Sequence, residues 1–553
     1  MSSQTTNRDL AEVVAAIRRG DQNLATDFAA QALRRGFEHP LIFLLEAERR
    51  EKEGFGQQAL GLLEQAVCLL DKGTSEVPDE ADFWKRIGEM LVRQRMLPDA
   101  LEAFEAALAI DPNVYLVLIA AGAASYQMGD LKAAYGYYRR AADLNPDEAE
   151  LLETLALIQS RMGATKEARV LAERALELHP SSLTAQLAIG RADLLEGRAD
   201  LAEARMTELV GRPDLNNQNR ISVLDLRAEA RDVLDRPADA FADYKARNSI
   251  LERISAPTVE RQLKERRVDQ ARRLAAYFAT APVESWHARA GEDTEGARTT
   301  RRHVFLLGFP RSGTTLLEKV LRGHPNVVTL EEIDHLAIAG SQLLNNDAAL
   351  SGLATLTTVN ADSCRQTYWR GVRQTLGEDI SDRILVDKMP LHTIALPVIA
   401  KLFPGAKILF AVRDPRDVVL SCFRRRFRIN SAMYEFLTLE GAARFYDEVM
   451  TLAKICRSIL PLDIYEIRHE SIVANFDEEV CKVLSFIGLD WHSDVKGFAE
   501  RARGTPRTPS DLQLTRGLNS DGVGQWCRYQ QQLAPVLEIV QPWVNYFGYP
   551  AVI

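Results

Sequence analysis

Val304-Phe305-Leu306-Leu307-Gly308-Phe309-Pro310-Arg311-Ser312-Gly313-Thr314-Thr315-Leu316-Leu317-Glu318-Lys319-Val320 is the stretch that decides the fold of the C-terminal half. An apolar run gives way to glycine, proline and a second glycine, and then to an amphipathic segment, which reads as a strand, a tight loop and a helix start. Gly308 and Gly313 have the spacing of a phosphate loop, and Ser312, Thr314 and Thr315 set hydroxyls beside the free N–H groups of a helix N-terminus. Such a loop is expected to hold an anion. The lysine of a Walker A loop is replaced by Thr314, and Arg311 sits inside the loop instead, so a triphosphate with its magnesium is poorly served. Further apolar runs at Ile384–Val386, Ile408–Val412 and Ile464–Ile467, each followed by helical or loop sequence, predict a P-loop-like α/β domain with a mostly parallel sheet, beginning at about Arg301.

Upstream, the chain repeats itself. Trp84, Ile87, Gly88, Ala100, Phe104, Ala107 and Pro112 are followed, 34 residues on, by Gly122, Ala134, Tyr138, Ala141 and Pro146, and 34 further on by Ala168, Ala172, Ala175 and Pro180. These are the positions of the tetratricopeptide repeat. Small alanines let two antiparallel helices approach, the aromatic fills the gap between pairs, and proline stops the second helix. Diverged units around Ala202 and Met206, around Ala240 and Tyr244, and from Asp9 to Pro40 extend the pattern. The expected organisation is therefore α followed by α/β: a tetratricopeptide α-solenoid over 8–255, a helical linker over 256–300, and the α/β domain over 301–553. The face of such an array binds a protein partner or serves assembly, a homodimer included.

Composition narrows the classes. With 553 residues, 46% hydrophobic and 26% charged, the chain is ordinary globular protein of two or more domains. A net charge of -9 gives no whole-protein nucleic-acid footprint, so an anion site must be a local cluster. The six cysteines form no CxxC pair and have no histidine at ligand spacing, so neither a metal site nor a disulfide framework is expected. The N-terminus lacks the basic head and apolar run of a signal peptide, and no stretch reaches the length of a membrane span, which gives a cytoplasmic expectation.

A second signature, Val412-Arg413-Asp414-Pro415-Arg416-Asp417-Val418-Val419-Leu420-Ser421, again runs from a strand end into a helix. Arg413 at the strand terminus and Ser421 two helical turns on can converge on one phosphate. The basic run Arg424, Arg425, Arg426 and Arg428 follows, either as a solvated helix end or as part of the anion site.

Together the two signatures resemble the sulfotransferases that use 3′-phosphoadenosine 5′-phosphosulfate, and more closely the branch that includes the tyrosylprotein sulfotransferases, over roughly residues 301–550. The resemblance implies that Arg311, Ser312, Gly313, Thr314 and Thr315 grip the 5′-phosphosulfate. It implies that Arg413 and Ser421 bind the 3′-phosphate, and that Arg425 and Ser510 are nucleotide-binding positions. It further implies that Glu332 is the general base, that Lys388 and Arg311 act at the transferring group, and that no metal is needed. The chemistry suits these types: an acceptor hydroxyl must lose its proton as it attacks sulfur, and a point positive charge neutralises the oxygen left behind. The chain departs from the family at His469, where tyrosine is usual, and at Gln525, where lysine or arginine is usual. Asp334 stands where the tyrosylprotein branch has an arginine for acidic substrate residues, so recognition of acidic tyrosine sites is not implied.

The expected function is transfer of a sulfuryl group from 3′-phosphoadenosine 5′-phosphosulfate to a hydroxyl acceptor by in-line displacement. The acceptor stays open between a polypeptide tyrosine and a carbohydrate, lipid or small-molecule hydroxyl. Two other readings remain beside it: a P-loop kinase or NTPase, disfavoured by Thr314, and a tetratricopeptide adaptor whose nucleotide-binding domain does no catalysis.

Overall fold

Glycine opposite an aromatic ring sets the closeness of the helix pairs in the N-terminal half. Helices Glu80–Arg93 and Leu97–Ile110 form one hairpin, Tyr115–Met128 and Leu131–Leu144 the next, and Ala149–Met162 and Thr165–Leu178 a third. A Cβ on Gly88 would lie 2.4 Å from Phe104 Cε1, and one on Gly122 would lie 3.0 Å from the Tyr138 ring. In the third hairpin both partners are small, Ala156 and Ala172, and both are fully buried. The turn inside each hairpin passes through the left-handed region at the same register, with φ of 64° at Arg95, 84° at Gly129 and 81° at Gly163. Gly88→Ala therefore overpacks the first of these contacts and is expected to destabilise the N-terminal unit by about 1–3 kcal/mol, measured as a lower midpoint in denaturant unfolding.

In this computed structural model the chain is described at residues 3–71, 77–262, 265–287, 291, 293–504 and 517–551. Two units, 1–198 and 199–553, divide it. The first is the tetratricopeptide-type helical array, which reaches back through helices Gly56–Asp71, Pro40–Lys52 and Gln22–Arg34 to Ser3–Arg18.

The second unit contains more than the α/β domain. Helices Asn217–Val233 and Pro237–Gln262, which carry the last diverged repeat, pack against it: Phe241 stacks on Phe423 at 4.8 Å, and Ile221, Leu224, Ile250 and Leu251 cluster with Leu437. The repeat pattern and the division into units thus part company at Arg198. The stretch read as a linker is helical, with helices Arg267–Phe278, Val283–His287 and Thr294–Thr299, but it is bound into the domain rather than strung between two. Val268, Leu274, Phe278 and Trp286 join the core of the α/β domain, Trp369 Nε1 donates to Asp293 at 3.0 Å, and Arg365 donates to the Gly291 carbonyl at 3.1 Å. Its surface charges hid this buried stripe.

Five parallel strands make the sheet, in the order β2-β3-β1-β4-β5: β1 Thr300–Gly308, β2 Val327–Glu331, β3 Ile380–Lys388, β4 Lys407–Val412 and β5 Asp463–Arg468. β2 is the strand absent from the apolar runs, being five residues long and ending in Glu331. From β1 the chain goes to one side of the sheet and later returns to the other. This puts a switch point at the carboxyl end of β1, where open α/β sheets bind their ligands.

Candidate active site

Every signature residue on a strand lies at or just past a carboxyl end. After β1 the loop turns through Gly308 at φ 151°, Arg311 at φ 71° and Gly313 at φ 94°. A Cβ on Gly308 would lie 2.6 Å from the Ala411 carbonyl of β4, which is why glycine stands there. The buried Thr393 hydroxyl donates to the Gly308 carbonyl at 2.8 Å and accepts from the Gly308 N–H at 3.2 Å, fixing the strand end. Gly313 is the N-cap of helix Thr314–Leu321, and no side chain caps it, so the first-turn N–H groups are left for a ligand. Ser312, Thr314 and Thr315 are buried around this turn.

Arg311 has a left-handed backbone, and its side chain reaches the helix that follows the neighbouring strand β4. Its Nε donates to Ser421 Oγ at 3.0 Å, and its carbonyl accepts from Arg413 Nη1 at 3.2 Å. Residues expected at opposite ends of a nucleotide are thus in direct contact. Burial, and then the charges of Arg425 and Arg413, press the Arg311 guanidinium down to about 9, which still leaves it a cation at neutral pH. The Arg425 side chain makes no hydrogen bond or ion pair among the described residues. The mutual repulsion of three guanidiniums is a standing cost that a bound polyanion removes. Arg424, from the same basic run, is not available to a ligand: it pairs with Asp232 and lies over the Tyr529 ring at 5.1 Å.

His469 closes the loop from the end of β5. A Cβ on Gly313 would lie 2.6 Å from its Nδ1, a buried atom without a hydrogen-bond partner. Burial first, then Arg413 and Arg311, hold this imidazole down to about 3, so it is neutral. Ser510 lies outside the described residues. Gln525 accepts from Arg528 Nη1 at 3.3 Å. The segment around it is held by Asp417, which sequence reading passed over, and by Arg413. Asp417 accepts from the N–H groups of Gly524 and Trp526, each at 2.8 Å, and Arg413 donates to the Gly522 carbonyl. Burial pushes Asp417 up to about 6 against the pull of Arg413.

At the ends of β2 and β3 a line of alternating charges runs inward. Glu332 sits at φ 54°, its N–H donates to the Lys388 carbonyl at 2.9 Å, and its Oε1 accepts from Lys388 Nζ at 2.8 Å. Lys388 is fully buried and 3.6 Å from Glu331, its register partner across the sheet. Glu331 in turn accepts from Lys319 at 2.8 Å, and Lys319 lies 3.3 Å from the fully buried Glu318. Buried charges persist only when paired in this way. Glu332 is the outer end of the line and its side chain is 45% exposed, so of the three glutamates it is the one an acceptor can reach. The family resemblance brought Glu332 and Lys388 forward as candidates; the support from Glu318, Lys319 and Glu331 lay concealed in what reads as an ordinary helix and strand.

Asp334 is committed elsewhere, accepting from His392 Nε2 at 2.9 Å. Burial works to raise its pKa and is outweighed by that hydrogen bond and the charge of His392, leaving it below the usual carboxylate value. Among the described residues no group of three or more His, Cys, Asp or Glu is placed to hold a metal ion, and no helix is long and apolar enough to cross a membrane.

Residues 303–493 match the model of the sulfotransferase family. An uncharacterized protein of Aquifex aeolicus is 23% identical over 414 residues, 73% of this chain and 52% of that protein. The protein-tyrosine sulfotransferase of Drosophila melanogaster is 25% identical over 264 residues, 44% of this chain and 52% of that enzyme. The chain thus spans about half the length of these two relatives. A tetratricopeptide repeat protein from Parabacteroides merdae is 16% identical, with a TM-score of 0.30 over 46% of this chain and 88% of that one. Behind its tetratricopeptide-type helices, this chain carries a domain that matches the sulfotransferase family over residues 303–493.

Proposed function

We propose that the chain transfers a sulfuryl group from 3′-phosphoadenosine 5′-phosphosulfate to a hydroxyl acceptor. The observation that carries this reading is the contact of Arg311 with both Ser421 and Arg413 at an uncapped helix N-terminus, within the field of Arg425 and with the Glu332–Lys388 pair at the ends of β2 and β3. The donor bears charge at two separated positions, and the site fits it: an uncapped helix N-terminus for the 5′ end, guanidiniums for the 3′-phosphate, and a buried Arg413 Nε without a partner. In the proposed site Arg311, Ser312, Gly313, Thr314 and Thr315 hold the phosphosulfate, while Arg413, Ser421 and Arg425 hold the 3′-phosphate, with Ser510 as a further nucleotide contact.

The reaction forms a bond between the acceptor oxygen and sulfur and breaks the bond from sulfur to the bridging oxygen, so 3′-phosphoadenosine 5′-phosphate departs. Glu332 takes the acceptor proton. Lys388 and Arg311 face the negative charge that builds on the bridging and sulfuryl oxygens, where fixed charges act most strongly because they need no reorganisation. No residue in this sequence of steps calls on a metal. The acceptor we propose is a hydroxyl on a polypeptide, tyrosine included, docked on the helical array over 8–255, with the chemistry in 301–553. The six unpaired cysteines suit a reducing compartment, and we place the enzyme in the cytoplasm.

The test is calorimetry in the presence of a chelator of divalent metal. 3′-phosphoadenosine 5′-phosphate is expected to bind undiminished and at least about tenfold more tightly than ATP, some 1.4 kcal/mol. Metal-dependent binding that prefers ATP overturns the assignment in favour of an NTPase.

A further inference from the structure

We infer that Arg247, in the last repeat hairpin, is a positioning residue for the 3′-phosphate site, acting through the C-terminal carbonyls of the helix Pro415–Arg424. This rests on the donor reading given above. A helix leaves its last carbonyls without intrahelical partners, and they must find donors elsewhere. Here the donors come from a helix more than 150 residues earlier in the chain. Arg247 Nη1 donates to the Arg424 carbonyl at 3.1 Å, Arg247 Nη2 to the Phe423 carbonyl at 3.2 Å, and Asn248 Nδ2 to the same Phe423 carbonyl at 3.0 Å.

Arg247 is held for this task. Its side chain is fully buried, pairs with Asp225 on the helix Asn217–Val233, and donates from Nε and Nη2 to Asn248 Oδ1 at 3.0 and 2.9 Å. A planar fork with five donors can serve an acid, an amide and two carbonyls together; an ammonium cannot. The carbonyls it fixes lie immediately beside the residues proposed for the 3′-phosphate. Ser421 is two residues before Phe423, its carbonyl accepts from the Arg425 N–H at 3.1 Å, and its hydroxyl meets Arg311. Arg425 is the residue at which the helix ends, with φ −92° and ψ 140°.

The same hairpin also holds the segment that meets Arg413. Asp232 accepts from Tyr529 Oη at 2.9 Å, pairs with Arg528 at 3.1 Å and pairs with Arg424. The segment leading to Tyr529 is the one whose Gly522 carbonyl meets Arg413. A repeat hairpin therefore clasps both the helix end and the strap that border the proposed 3′-phosphate position. In this arrangement the last repeat is a part of the donor site, whatever the other repeats bind.

The test compares two nucleotides on the same preparation of full-length protein. 3′-phosphoadenosine 5′-phosphate and adenosine 5′-monophosphate differ only in the 3′-phosphate, so the ratio of their affinities reads that subsite alone, and any loss of folded protein cancels. The wild-type ratio is expected to be about a hundredfold or more, given two or more charge-assisted contacts. Arg247→Lys keeps the charge beside Asp225 but loses the fork, and is expected to narrow the ratio to below about tenfold with adenosine 5′-monophosphate affinity nearly unchanged. A merely structural role would lower thermal stability and leave the ratio where it was, and that result overturns the inference. Should Arg247→Lys not fold, Asn248→Ala is read the same way: a ratio narrowed by at least about threefold supports the inference, and an unchanged ratio overturns it. A wild-type protein with no preference for the 3′-phosphate would instead remove the donor reading itself, which keeps the two failures distinct.

Discussion

Glu332→Gln is expected to lower turnover by about 10²- to 10⁴-fold, the range that a positioned general base contributes. The substitution keeps the shape of the side chain and an oxygen for the 2.8 Å hydrogen bond from Lys388, so the line of buried charges behind it stays in place. What it removes is the basic carboxylate that, in the proposed reaction, takes the acceptor proton. Affinity for 3′-phosphoadenosine 5′-phosphate should be nearly unchanged, because the Glu332 carboxylate accepts its hydrogen bond from Lys388, which is not among the residues proposed to bind the nucleotide. The neighbouring acids define the comparison. Glu331 is tied to Lys319 and Asp334 to His392, so Asp334→Asn should cost much less than Glu332→Gln in the same assay. Near-normal turnover of Glu332→Gln, measured with labelled donor, would move the base elsewhere.

The second large effect concerns where the chain can be cut. A polypeptide starting at Ala290 carries every described residue assigned to the donor, yet it lacks Val268, Leu274, Phe278 and Trp286, all within the α/β core. Each such side chain contributes about 1.5–3 kcal/mol on burial, which for four of them approaches the whole 5–15 kcal/mol by which domains are stable. The cut also removes Arg247, Asn248 and Asp232 from the helix end and strap beside Arg413. The fragment 290–553 is therefore expected to show no cooperative thermal transition and no binding of 3′-phosphoadenosine 5′-phosphate. A chain starting at Ala199 keeps the second unit whole and is expected to show both. A cooperatively folding 290–553 fragment that binds like the full chain would contradict this accounting.

How much of this could be read from the sequence follows from the range over which each feature is specified. The loop after β1 was legible because local backbone geometry demands it: a glycine at Gly308 against the Ala411 carbonyl and one at Gly313 under His469 leave a spacing that survives without the fold. The helical repeats were legible for a related reason, since Gly88 with Phe104 and Gly122 with Tyr138 recur at a fixed period. β2 was not, because its apolar run is only Val327, Val328 and Leu330 before the charge of Glu331, and as an edge strand it pairs with β3 alone among the strands. The segment from Arg267 to Thr299 was read as a connection because its charged face outnumbers its buried stripe. Asp417 and Arg247 escaped for a deeper reason. Each serves a backbone group brought near only by the fold, and nothing in the spacing of a lone aspartate or arginine announces a carbonyl or N–H far along the chain.

The central claim is sulfuryl transfer at Glu332, and the most direct measurement is mass spectrometry of cell extract incubated with the full-length protein and isotopically labelled 3′-phosphoadenosine 5′-phosphosulfate. The expected result is label on an acceptor hydroxyl, formed in the presence of metal chelator and absent with Glu332→Gln. Label that never leaves the donor, or that is transferred equally by wild type and Glu332→Gln, would contradict it.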